Sequence, residues 1–195
     1  MAIEIEAKMR LDDVPAMEAA LMRAGAQREM DLLEINTFFD TPRGELKTSD
    51  QGLRVRLEQQ IDGDHHAVII THKGPRAHSK LKSRSETELV VQNAQHAAEL
   101  LAAIGFTPVL SFEKRRTRWQ MAGCAIALDR LPFLGSFIEI EGPSEAAVLA
   151  AREKLGLGQA PLIRSSYIAM LRTYLADHNL QLDHVAFDAE AAAAH

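Results

Sequence analysis

The sequence predicts an α+β fold: an eight-stranded antiparallel β-barrel with a charged interior, flanked by peripheral helices. Three observations predict it. Eight short segments alternate side chains with the period of two that a strand imposes. Their polar faces carry more charge of both signs than a half-solvated sheet usually does. Three or four amphipathic helices are available to cover the apolar faces. With 195 residues, 47% of them hydrophobic, the chain is long enough for one sizeable domain.

The first strand, 3–10, sets Ile3, Ile5, Ala7 and Met9 against Glu4, Glu6, Lys8 and Arg10. A helix follows, with Asp13 as its cap, Pro15 in its first turn and Gly25 at its end. Strand 35–40 runs into Asp40, which closes a turn before Pro42-Arg43-Gly44. Strand 52–59 puts Arg54, Arg56 and Glu58 on one face, and Leu53, Val55 and Leu57 on the other. "DGD" at 62–64 turns the chain into strand 66–73, where Thr71 and Lys73 oppose Val68 and Ile70. Strand 83–91 aligns Arg84, Glu86 and Glu88. Asn93 caps a second helix that stops at Gly105.

Strand 111–120 aligns Lys114, Arg116 and Arg118, so alternation turns Arg115 outward. "AG" at 122–123 leads into strand 123–129, with Asp129 in line with Ala125 and Ala127. "PFLG" at 132–135 leads into strand 136–142, which sets Glu139 and Glu141 against Ile138 and Ile140. Ser144 caps a third helix ended by Gly156, and "RSSYIAMLRTYLADH" reads as a fourth. One domain over 1–175 follows. Residues 176–195 are expected to be a partly disordered extension, with "DAEAAAAH" a frayed tail or tag remnant.

Charge narrows the function. The net charge is −5, but four acidic residues and no Lys or Arg lie from Ala176 onward, so the body is close to neutral. That balance excludes a general nucleic-acid surface, which needs clustered excess Lys and Arg. The lone Cys124 excludes an intrachain disulfide and gives no zinc spacing. Charged residues from Glu4 read against a secretory leader, and no run approaches a membrane span. The expectation is a soluble cytoplasmic protein with no membrane partner.

Charged faces and helix-covered apolar faces fit a barrel turned inside out, with its charges around a polar lumen. Closure brings the Glu4/Glu6 strand beside the Glu139/Glu141 strand. Four converging carboxylates repel unless a divalent cation sits among them. Facing rows of Arg and Lys suit a polyanion, because guanidinium forks match phosphate oxygens.

"EIEAK" resembles the Glu-x-Glu-x-Lys signature of the CYTH superfamily, the triphosphate tunnel metalloenzymes. "NTFFDT", "GLRVR", "THKGP", "RSETE", "EKRR" and "ALDRLPFLGSFIEIEG" follow in that family's order, and "SSYIAML" resembles the C-terminal helix of its longer members. The resemblance implies an eight-stranded tunnel that binds a triphosphate-containing small molecule with Mg²⁺ or Mn²⁺. It marks Glu4, Glu6, Glu139 and Glu141, with Asp129 close by, as metal ligands. Lys8, Arg54, Arg56, Lys73, Arg84, Lys114 and Arg116 become the phosphate cradle. Glu86 and Glu88 hold a second metal or orient water, and with Lys8 they are the catalytic candidates. The resemblance leaves room for a homodimer.

Several residues have plainer readings. His65 and His66 flank a hairpin turn and point to opposite faces, which suits solvent better than a metal. Trp119 is expected to pack rather than stack on substrate. "THKGP" is no phosphate loop, since one Gly makes no backbone nest. Tyr167 is balanced between helix packing and a substrate role. Three functions remain: a triphosphatase, favoured because the charges alone explain hydrolysis; a class IV-type adenylate cyclase; and a non-catalytic polyphosphate-binding module. Retained carboxylates argue against the last.

Overall fold

The computed structural model describes residues 2–77 and 81–193. Its strands are β1 (Ala2–Leu11), β2 (Gln27–Asp40), β3 (Gly52–Gln60), β4 (His66–Arg76), β5 (Lys82–Val91), β6 (Thr107–Met121), β7 (Cys124–Leu131) and β8 (Gly135–Glu141). They pair antiparallel in the order β2-β3-β4-β5-β1-β8-β7-β6, and β6 returns to β2, closing the ring. All eight expected strands are present. Three run well past the bounds their alternation suggests, β2 beginning at Gln27 rather than 35, β4 ending at Arg76 rather than 73 and β6 beginning at Thr107 rather than 111. A register shift at Arg28/Met30 and the adjacent Leu32 and Leu33 mask the period in β2. Pro108, ordinarily a strand breaker, sits at a second register shift.

Helices α1 (Val14–Arg23), α2 (Glu45–Thr48), α3 (Ala94–Ala103), α4 (Glu145–Lys154) and α5 (Tyr167–Asp177) lie between and after the strands. Asp13, Asn93 and Ser144 each accept a backbone N–H of the first turn, as capping residues do. The single turn α2 is not evident from periodicity. Its source is Asp40, whose carboxylate accepts the N–H groups of Thr41, Leu46 and Lys47.

The barrel is inside out. Met9, Ile126, Ile138 and Ile140 point outward and are buried with Leu21 of α1 and Val148 of α4. Val55 and Val68 are covered by Ala97 and Leu101 of α3. A third apolar group sits at one end. Phe112 shares the inward face of β6 with Lys114, and Phe137 that of β8 with Glu139. Both pack with Leu171 and Leu175, so α5 lies across this end of the barrel.

Much of the extension is also built into the fold. β9 (His184–Val185) pairs in parallel with Ser111 and Phe112 of β6, and Val185 is fully buried. In α6 (Phe187–Ala193), the Phe187 N–H donates to Glu113 at 3.0 Å, and Arg115 lies over the Phe187 ring. Arg115 therefore faces outward, as alternation requires. The tail's last two residues, 194–195, lie outside the described residues. Among the described residues, no helix is long and apolar enough to cross a membrane.

Candidate active site

The lumen is a cavity of about 1450 Å³. Its wall brings together Glu4, Glu6, Lys8, Arg54, Arg56, Lys73, Arg84, Glu86, Glu88, Lys114, Arg116, Glu139 and Glu141. Strand alternation selects them, since each strand contributes every second residue to the inside. Two neighbouring regions of opposite sign result.

The basic region is organised around a residue that sequence reasoning missed. Glu34 of β2 is fully buried, with Lys114 at 3.0 Å, Arg56 at 3.3 Å and Arg116 at 3.6 Å. Burial alone would raise its pKa, but Arg56, Lys114 and Arg116 override that and hold the carboxyl well below its ordinary value. Glu58, buried beside it, accepts from Arg56 at 3.1 Å and from Arg118 at 2.5 Å. Arg56 also donates to Asn36 at 3.1 Å. Crowding leaves a mark on the cations. Burial, with Arg116 next, pushes Lys114 down to about 8; burial, with Arg56 next, pushes Arg54 down to about 10. Arg54 donates to Thr71, and Thr71 to Glu88, and the buried Arg54 Nε has no partner among the described residues.

The acidic region lies where β1 meets β5 and β8. Glu6 stands opposite Glu141 in the register, and Lys8 opposite Glu139. Lys73 donates to Glu4 at 2.9 Å and to Glu86 at 3.2 Å, and Lys82 is paired with Glu6. Glu141 has no such partner among the described residues; burial first, then Glu4, Glu86 and Glu6, push its pKa up to about 7. Glu139 belongs to the basic side, held by Lys8 at 3.3 Å and Arg116 at 2.6 Å, which keep it well below its ordinary value against the opposing effect of burial. Among the described residues, no three carboxylates or imidazoles stand close enough to hold a metal as they are. Lysines occupy the space between them.

Asp129, expected close to the metal ligands, is engaged by cations. It is absent from the cavity wall, because the Arg116 fork takes both of its oxygens at 2.7 and 2.6 Å and Lys114 approaches to 3.3 Å. Tyr167 completes the cover, donating its hydroxyl to Asp129 at 3.0 Å. Burial, reinforced by Asp129, raises the Tyr167 pKa well above its ordinary value. The Tyr167 ring also lies under Lys8, 3.8 Å from its Nζ, and Lys8 donates to Ser165 O at 3.1 Å. Tyr167 is therefore both a packing residue and part of the lumen's polar lining.

Arg84 stands at the mouth, where Asp50 accepts from Arg76 and lies 3.7 Å from Arg84. His65 comes within 3.5 Å of Glu58 rather than of a metal group, and Trp119 is buried in the outer core. Glu34 and Lys82 escaped because each lies just outside a strand boundary read from sequence. Extending the alternation Glu34-Asn36-Phe38 by one step recovers the first.

A family model for the CYTH domain matches residues 2–167. Adenylate cyclase CyaB of Aeromonas hydrophila is 30% identical over 174 residues, covering 84% of this chain and 86% of that protein. Among solved structures, PH1819 from Pyrococcus horikoshii OT3 aligns with a TM-score of 0.74 at 27% identity, covering 88% of this chain and 99% of that one. HpAC1 from Hippeastrum is an adenylyl cyclase candidate described as revealing a dominant triphosphatase activity. It shares the fold at a TM-score of 0.66 and 20% identity, over 89% of this chain and 96% of its own. The matched span runs from β1 to the first residue of α5 and takes in both charged regions of the lumen: the chain belongs to the CYTH domain family.

Proposed function

We propose that this chain is a divalent-metal-dependent triphosphatase, hydrolysing a triphosphate within the barrel by attack of water on the terminal phosphorus. One observation carries the reading: a guanidinium and ammonium region adjoins a carboxylate region inside one lumen. Binding an anion needs only the first. The second suits Mg²⁺ or Mn²⁺, because carboxylate oxygens are the donors hard cations prefer. Glu4, Glu6 and Glu141 would hold the ion, with Glu139 beside them. Burial, and then that crowding, raises the Glu141 pKa. When bound, the ion polarises phosphoryl oxygens and neutralises charge on the leaving group.

The chain's own residues do the rest. Arg54, Arg56, Lys114 and Arg116 donate to phosphate oxygens and offset the charge that builds in the transition state, without reorganising to do so. Lys73 and Arg84 guide the anion inward, Lys73 exchanging Glu4 for phosphate. Glu86 and Glu88 orient water, and Lys8, fixed by Glu139 and Ser165, adds a donor at the reacting end.

A second reading is kept because of the 30% identity to a protein named adenylate cyclase. There the ribose 3′-hydroxyl of ATP attacks the α-phosphorus and pyrophosphate leaves. Incubation with inorganic triphosphate, ATP or thiamine triphosphate plus Mg²⁺ or Mn²⁺ separates the two. Orthophosphate as the main product is expected; cyclic nucleotide as the main product from ATP would overturn hydrolysis. Tight binding without turnover would favour the non-catalytic module.

A further inference from the structure

The mouth of the lumen holds an anion of the protein's own. Asp50, just past α2, has a left-handed backbone at φ +55° and lines the cavity. Its carboxylate accepts the Arg76 backbone N–H at 3.0 Å and Arg76 Nε at 2.9 Å, and stands 3.7 Å from Arg84. Its backbone oxygen also accepts an N–H of Arg84, at 3.4 Å. Hydrogen bonding from Arg76 holds the Asp50 pKa below its ordinary value, so the group is charged at neutral pH.

Register explains why a carboxylate belongs there. Arg76 of β4 and Arg84 of β5 are direct cross-strand partners, a like-charge pair that repels. On its other side Arg84 faces Glu4 of β1, but Lys73 already holds both oxygens of Glu4, at 2.9 and 3.0 Å. Asp50 arrives from a third element and offsets both guanidiniums. Arg84 is still incompletely satisfied: its side chain is 9% exposed, and its buried Nε has no partner among the described residues.

Two anions thus stand among the cations of the lumen, and they are held differently. Glu34 is fully buried and built in. The Asp50 side chain is 41% exposed and that of Arg76 40%. Ion pairs so open to water are worth little, so this carboxylate swings into solvent at small cost. A phosphate group brings more charge and more acceptor oxygens, in the geometry that a guanidinium fork matches.

We infer that Asp50 is a displaceable stand-in for substrate: it occupies Arg84 and Arg76 at the mouth until a phosphate group of the incoming triphosphate takes its place, and by competing it sets the affinity. The nature of the ligand rests on the triphosphate reading above. Asp50 takes no part in the chemical step.

Asp50→Asn is the test substitution. Asn tolerates the left-handed backbone and its amide oxygen still accepts from Arg76, so little but the charge is lost. Binding is measured by titration calorimetry with a non-hydrolysable imido analogue of inorganic triphosphate and Mg²⁺, beside KM for inorganic triphosphate itself. Kd and KM should both fall about two- to fivefold, the worth of one half-exposed ion pair, without a rise in kcat. The gain should shrink at high salt, which screens such a pair in wild type. In an Arg84→Gln background the same substitution should give no gain, because the contested cation is gone. A gain that persists there is a general charge effect and overturns the stand-in. Unchanged or weaker binding by Asp50→Asn overturns it too, and a lowered melting temperature with it makes Asp50 a strap for β4. If wild type binds the analogue without hydrolysing triphosphate and Asp50→Asn tightens it, the stand-in holds and the triphosphatase reading falls. If wild type does not bind the analogue, both fall.

Discussion

Glu34→Gln tests whether the basic lumen is held together by its buried anion. The carboxylate is completely shielded from solvent and faces Lys114 at 3.0 Å, Arg56 at 3.3 Å, Arg116 at 3.6 Å and Arg118 at 4.0 Å. An amide keeps the shape and removes the charge, leaving four cations to repel one another. Removing one partner of a buried ion pair typically costs about 3–5 kcal/mol. For a chain this long that corresponds to a melting shift of roughly 6–20 °C. Lys114 limits the loss: already pushed down to about 8 by burial and Arg116, it sheds its proton more readily once Glu34 is neutral.

Two consequences follow for the assay, urea or thermal melts of ligand-free protein. The deficit should shrink as pH rises through about 8, where Lys114 loses its charge even in wild type. It should also shrink when inorganic triphosphate is added, because a polyanion supplies the missing negative charge. The opposite limb has its own sign. The Glu34 pKa is lowered on folding, so its stabilisation is present above about 4.5 and lost as pH falls toward the folded value. A Glu34→Gln protein within 1 kcal/mol of wild type, or a deficit indifferent to both pH and triphosphate, would refute the reasoning.

Three further outcomes are expected. EDTA should abolish turnover and added Mg²⁺ or Mn²⁺ restore it; full activity in chelator would remove Glu4, Glu6, Glu139 and Glu141 from the metal role. Glu141 has a folded pKa raised to about 7, so metal-free wild type should lose stability as pH rises from about 4.5 through 7; Glu141→Gln should flatten that slope in urea midpoints, and an unchanged slope would locate the repulsion elsewhere. Tyr167→Phe removes a hydrogen bond to a charged acceptor and should cost about 1.5–3 kcal/mol in a denaturant titration while leaving the ring under Lys8; no loss would mean that Arg116 and Lys114 hold Asp129 without it.

The strands and the lumen-facing sets were legible because a period of two is the same statement in sequence and in space. Arg54 and Arg56 face inward for the reason that Leu53 and Val55 do not. Partnership was not legible. Whether Asp129 meets a cation or a metal depends on β6, whose Arg116 stands opposite it across the ladder. No spacing within one strand encodes that. Boundaries failed where local geometry interrupts the period, and Glu34 was lost with the first half of β2. The short α2 was hidden because its warrant is one carboxylate reaching forward six and seven residues. β9 and α6 rest on contacts with β6, so their composition alone reads as a tail.

Closure of the ring has a consequence for how the molecule is made. Ala2 sits opposite Glu86, Glu6 opposite Glu141, and Gln27 opposite Gln120, so three seams join segments far apart along the chain. Such pairings form slowly, since chain entropy is surrendered before any contact compensates for it, and barrels of this kind fold over milliseconds to seconds. Throughout that interval β1 carries Ile5 and Met9 without the helices α1 and α4 that will cover them. Its Glu4, Glu6 and Lys8 are useless to the lumen until then, yet they keep the waiting strand soluble and discourage it from annealing to a second, equally unfinished molecule. The same charges serve first as gatekeepers of assembly and only afterwards as the lining of a finished tunnel.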